Sequence, residues 1–142
     1  MNIIKYALIA VSVFIFFSAT APSEPHAANI AASAIVKKDE ATLRWFSFRE
    51  TTKELAAKKF DLKFEPSQVA KYTYEAVDNT NLNPRYMRMY RLSITLNDGQ
   101  QKDIYFLLGK NTATNAWGLT YKVPNELKIA GVPVKEAGIT LL

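Results

Sequence analysis

Residues 86–110 read YMRMYRLSITLNDGQQKDIYFLLGK, and the way this stretch folds decides the architecture. Leu92, Ile94 and Leu96 alternate with Ser93, Thr95 and Asn97, the period-two pattern of a strand with one buried face. Asn97-Asp98-Gly99 supplies residue types that tolerate the positive φ of a tight reversal. Residues 104–108 then form a short apolar run of strand-forming types. The pattern predicts a β-hairpin. A two-residue turn at Asp98-Gly99 would set Ile94 opposite Asp103 and bring a charge onto the core face, where it is strongly unfavourable. Moving one strand by a residue pairs Ile94 with Ile104, Leu92 with Phe106 and Tyr90 with Leu108, around a turn of three to five residues. That second register is the expectation.

Outward from the hairpin, Lys71, Thr73 and Glu75 alternate with Tyr72, Tyr74 and Ala76, which fits a strand with one aromatic face. A helix begun by Pro66 is the alternative over 66–77. Residues 78–84 (DNTNLNP) are turn formers throughout. On the other side, residues 109–115 are a polar loop. Trp117, Leu119, Tyr121 and Val123 then alternate with Gly118, Thr120 and Lys122 in a strand that Pro124 stops. Residues 125–142 hold short apolar pieces broken by Gly131, Pro133 and Gly138, suited to running along the sheet or adding a short edge strand.

Residues 39–60 predict a helix, with Asp39 as N-cap and Glu40 in the first turn. Trp45, Phe48, Thr52, Leu55 or Ala56, and Phe60 fall on one face, and Glu50–Lys53 and Glu54–Lys58 are acid-first neighbours. The aromatic crowding at 43–49 equally fits a strand before a shorter helix from Thr51. The order is thus an N-terminal helix followed by an antiparallel meander of about four strands, an α+β domain with the helix packed on one sheet face. Small curved-sheet domains of the cystatin-like or NTF2-like kind share that outline, an analogy of fold that leaves function open.

The N-terminus addresses the destination. Lys5 precedes an apolar run over 6–17, with small and polar residues from Ser18, the three-part pattern of a secretory signal. Twelve helical residues reach about 18 Å, short of a hydrocarbon core of roughly 30 Å. Residues 1–21 are therefore assigned as signal peptide, with a retained anchor as the alternative. Residues 22–38 are an alanine-rich tether with a short strand or helical turn at 34–37, and 39–142 a single domain. Ala19-Thr20-Ala21 fits the small-x-small cleavage rule, although Pro22 would follow the cut, and Ala27 or Ala28 are later options. The expected location is periplasmic or secreted.

Chemistry is sparse. The chain has no cysteine, so an exported domain of this kind has no disulfide framework and no thiolate chemistry. Its only histidine, His26, lies in the expected tether, which leaves no basis for a histidine-based nucleophile triad or metal site. Gly109-Lys110-Asn111-Thr112 lacks the upstream glycine of a phosphate-binding loop. Glu65, Glu75, Asp78, Asp98 and Asp103 are scattered and sit mostly beside lysine or turn residues, a poor basis for a two-carboxylate hydrolase. No cofactor or metal is expected. The net charge of +5 points, outside the cytosol, to a protein or an anionic envelope component as partner rather than nucleic acid, with membrane contact only through an uncleaved N-terminus.

The binding candidates are Arg85, Tyr86, Arg88, Tyr90 and Arg91, joined by Tyr72 and Tyr74 if their strand is a neighbour. Arg and Tyr dominate interface hot spots. The competing explanation is that the tyrosines and methionines cover core and the arginine stems lie across the sheet. These features fit an exported, non-catalytic binding or accessory protein of inhibitor, immunity or envelope-interaction type. The alternatives are a membrane-anchored subunit of an envelope secretion or transfer assembly, and a carboxylate hydrolase.

Overall fold

A computed structural model describes residues 23–46, 63–120 and 127–134. In chain order these form helices α1 (Glu24–Lys37) and α2 (Glu40–Phe46), a 3-10 turn (Pro66–Gln68), and strands β1 (Val69–Ala76), β2 (Met87–Leu96), β3 (Gln101–Lys110), β4 (Trp117–Thr120), β5 (Lys128–Ile129) and β6 (Val132–Pro133). β1 to β4 make one antiparallel sheet in sequence order, with both described helices on one face. The fold is the α+β arrangement of helix on antiparallel meander that the patterns imply.

The central hairpin closes through a three-residue loop. The Leu96 N–H donates to the Gln100 carbonyl at 2.8 Å, the Gly99 N–H donates to the Leu96 carbonyl at 3.0 Å, and Gly99 sits at φ +87°. The register therefore differs from the expected one by two residues: Ile94 faces Lys102, Leu92 faces Ile104 and Tyr90 faces Phe106. The predicted partition of faces survives, because a shift of two keeps every side chain on its side. The loop decides between the two registers. Pairing Ile94 with Ile104 would order five residues in the turn, whereas Asn97-Asp98-Gly99 reverses the chain in three with glycine at the left-handed position. Lys102 is half-buried near the sheet end, where a lysine stem can lie over apolar surface with its ammonium in water.

The alanine-rich segment is not a tether. It is a 14-residue helix, α1, whose Ala27, Ala28, Ala31, Ala32, Ala34, Ile35 and Val36 are buried. Alanine has the highest helix propensity, and its small side chain lets a helix lie close to a sheet. Recurrence at 27/28, 31/32 and 35/36 forms one continuous stripe. α1 ends at Lys38, left-handed at φ 50°, where the Lys38 and Asp39 N–H groups donate to Ile35 and Ala34 carbonyls at 3.1 and 2.9 Å.

Asp39 caps α2 as its sequence position predicts. The Thr42 N–H donates to Oδ1 at 3.1 Å and the Thr42 hydroxyl to Oδ2 at 2.6 Å. These bonds, the hydroxyl first, hold the Asp39 carboxyl below the usual aspartate range. The face of α2 differs from the expected one: Leu43 and Phe46 are buried, whereas Trp45 is 74% exposed. Leu43 and Phe46 are three apart and share a face, and Trp45 lies well round the helix from both. The proposed continuation through Phe48 and Phe60 falls outside the described residues.

Over 66–77 the strand reading holds and the helix alternative does not. Pro66 starts a helical turn, but it lasts three residues before β1 begins. The Asn97 N–H donates to the Gln68 carbonyl at 2.8 Å and its side-chain amide to the Ser67 carbonyl at 3.1 Å, tying this turn to the hairpin tip. On the helix side the core holds Leu92, Ile94, Phe106, Leu108 and Leu119, each at most 1% exposed and each worth about 1.5–3 kcal/mol of burial. On the opposite side Met89, Leu107 and Leu127 form a smaller cluster with Val77, Leu82, Tyr105, Ile129 and Val134. The tail thus makes its own small hairpin, β5–β6, bridged to Thr80 through Ile129. Among the described residues no helix is long and apolar enough to cross a membrane.

Candidate binding site

Strand alternation splits the arginine–aromatic stretch between two faces. Tyr90 belongs to the helix-side core with Leu92 and Ile94, while Met89 belongs to the opposite cluster. Tyr90 stacks on Phe106, its partner across the ladder, with ring centroids 5.5 Å apart and planes 11° apart. Its hydroxyl donates to a carboxylate oxygen of Glu24, the first residue of α1. Burial pushes the Tyr90 phenol well above the ordinary tyrosine range, the hydrogen bond to Glu24 and the charge of that carboxylate add to this, and Arg88 opposes it. Tyr90 therefore keeps its proton at neutral pH.

Arg88 completes the cluster. Its guanidinium lies 3.1 Å from Glu24 and 3.2 Å from Asp78, with its side chain about a third exposed and that of Glu24 less so. One carboxylate at the start of α1 thus receives both a guanidinium and a phenol from β2. Tyr72 is half-buried against the same core, and the Tyr74 hydroxyl reaches Asn29 of α1 at 3.4 Å. Arg91 stands apart, paired with its cross-strand neighbour Glu75. Arg88, Tyr90, Tyr72 and Tyr74 are accordingly gathered where β1 and β2 meet α1, and Arg91 is not among them.

Arg85 and Tyr86 occupy the turn leading into β2. Asn83 shapes this turn: its side-chain oxygen accepts from the Arg85 N–H at 3.1 Å, and its carbonyl accepts from the Tyr86 and Met87 N–H groups at 3.0 Å. Both side chains are left outside, Tyr86 at 46% exposure. Beside them is a pocket of about 340 Å³ lined by Val77, Asp78, Thr80, Leu82, Pro84, Met87 and Arg88. The residues that sequence reasoning did not connect are Glu24 and the 77–84 wall. Glu24 lies 64 positions from Arg88, and no local pattern links them.

Glu65 and Gln68 cap the 3-10 turn, and Asp98 accepts from the Gln100 N–H at 3.0 Å in the hairpin loop. Among the described residues no group of three or more histidine or acidic side chains is placed to hold a metal ion.

No protein-family model and no curated protein matches the chain. Among solved structures it is similar to a Campylobacter jejuni protein described as an NTF2-like transpeptidase, with TM-score 0.48 and 12% identity over 70% of this chain and all of that one. It is also similar to a sec-c motif-containing protein from Psychrobacter arcticus, with TM-score 0.45 and 16% identity over 82% of this chain and 73% of that one. Both are likenesses of outline only.

Proposed function

We propose that this chain is an exported, non-catalytic binding or accessory domain, and that it captures a protein partner of the cell envelope at the 77–88 turn and pocket. The observation that carries this reading is the make-up of that corner. Four apolar walls, Val77, Leu82, Pro84 and Met87, are rimmed by Asp78 and Arg88, with Arg85 and exposed Tyr86 adjoining in the chain. Its volume is at the low end for ligand pockets, a size suited to one or two inserted side chains rather than a large cofactor. Exposed Arg and Tyr beside an apolar recess are the chemistry of an interface anchor. A protein fits such a recess better than an anionic polymer, which would meet the Asp78 carboxylate at the rim.

The test is site-specific photo-cross-linking in the native cells, with the cross-linker at Tyr86 and, as control, at Asp98 beyond the far end of β2. A discrete protein adduct from position 86, diminished by Arg85→Ala and missing from position 98, is the expected result. Equal labelling from both positions, or adducts only to envelope polymer, would remove the basis for this site.

A further inference from the structure

We infer that export processing of this chain is confined to the residues before Glu24, so that the mature protein retains α1 whole together with its contact to Arg88 and Tyr90; the inference rests on the exported reading above. Alanine precedes the candidate cuts at Ala21, Ala27 and Ala28, but the residues two positions further upstream are Ala19, Pro25 and His26, so of the three Ala21 alone completes the small-x-small pattern. The fold separates them. Ala27 and Ala28 lie within α1, have no exposed surface and pack into the helix-side core. The Ala27 N–H donates to the Ser23 carbonyl at 2.8 Å, closing the first turn of the helix.

A cut after Ala27 or Ala28 would remove that turn and Glu24 with it. Arg88 would lose the less exposed of its two carboxylates, and the Tyr90 hydroxyl, 7% exposed as a residue, would lose its acceptor. The new α-ammonium would also stand at a helix N-terminus, where the macrodipole disfavours positive charge. A cut at Ala21 removes none of these groups; one at Ser23, where Ala21-Pro22-Ser23 again reads small-x-small without placing proline after the cleaved bond, keeps Glu24 and its contacts but takes away the Ser23 carbonyl that accepts from Ala27. Such processing leaves a chain that begins within three residues of the helix start, with Glu24 in place to join α1 to β2.

Two measurements on the full-length precursor, expressed in cells that export it, test this. Intact mass and N-terminal sequencing of the processed protein should give a first residue between Pro22 and Glu24. A first residue at Ala28 or Asn29 overturns the inferred site and leaves the export reading standing, whereas an uncut chain overturns the inferred processing, and the export reading with it if the chain stays in the cytosol. In the same cells the Ala19→Leu, Ala21→Leu double variant should lower the mature-to-precursor ratio by about tenfold, because it spoils the small-residue positions for either upstream cut. An unchanged ratio places the cut downstream and overturns the inference.

Discussion

Arg88 and Arg91 stand three residues apart on β2, and the alternation of the strand sends them to opposite sides of the sheet. The Arg88 guanidinium is partly buried between Glu24 and Asp78, while the Arg91–Glu75 pair is 42% and 61% exposed at its two side chains. Burial decides their energetics, since an exposed pair is screened and a partly buried one leaves a desolvated carboxylate behind when broken. Arg88→Ala should therefore lower unfolding stability by about 1–3 kcal/mol and Arg91→Ala by under about 1 kcal/mol, measured by urea denaturation. Equal losses would contradict this assignment. Tyr90 gives a pH prediction. Its folded-state pKa is raised, so its contribution is complete below the ordinary tyrosine pKa of about 10. As pH climbs past that value the unfolded chain ionises first, and stability falls by up to about 1.4 kcal/mol per pH unit until the folded phenol titrates too. Tyr90→Phe should lack this component, so the gap in stability between wild type and variant should narrow from pH 9 to pH 11. A gap that stays constant would show that the phenol is not held as described.

At the scale of elements, the hairpin loop and the first helix show how much a local pattern carries. The hairpin was legible because Leu92, Ile94 and Leu96 alternate cleanly and the turn residues follow at once. Its exact pairing was not, because registers two residues apart bury the same faces and differ only in the turn. Gly99 resolves that choice through its backbone. At φ +87°, with open space around the site of an added Cβ, Gly99→Ala meets no clash and strains only the left-handed conformation. It should cost about 1–2 kcal/mol, with Gly99→Asn costing less, as read from thermal or urea unfolding. An alanine as harmless as asparagine would argue for a different turn. In α1 the spacing of 27/28, 31/32 and 35/36 was present in the sequence, but small alanine side chains resemble a linker as readily as a packed face. Its end was hidden for a different reason: the left-handed position that glycine usually marks is held by Lys38.

For the whole molecule, local chemistry by itself determined the α+β class, the antiparallel meander, the Asp39 cap and the turn at 78–84. Each depends on neighbours within a few residues, where periodicity, capping and turn propensities act directly. The order β1-β2-β3-β4 follows from such short connections. What only the tertiary structure decided is which long-range groups meet. Glu24 finds Arg88 and Tyr90 because α1 lies across the sheet, and Leu127 finds Met89 and Leu107 because the tail returns to the opposite face. Trp45 is left exposed because Leu43 and Phe46 take the buried side of α2. The same placement divides a contiguous run of arginines and tyrosines into a partly buried cluster, a separate surface pair and an open turn beside a pocket. Sequence spacing states which residues share an element's face. Which face is covered, and by what, depends on the packing of elements far apart in the chain, a term that no local pattern contains.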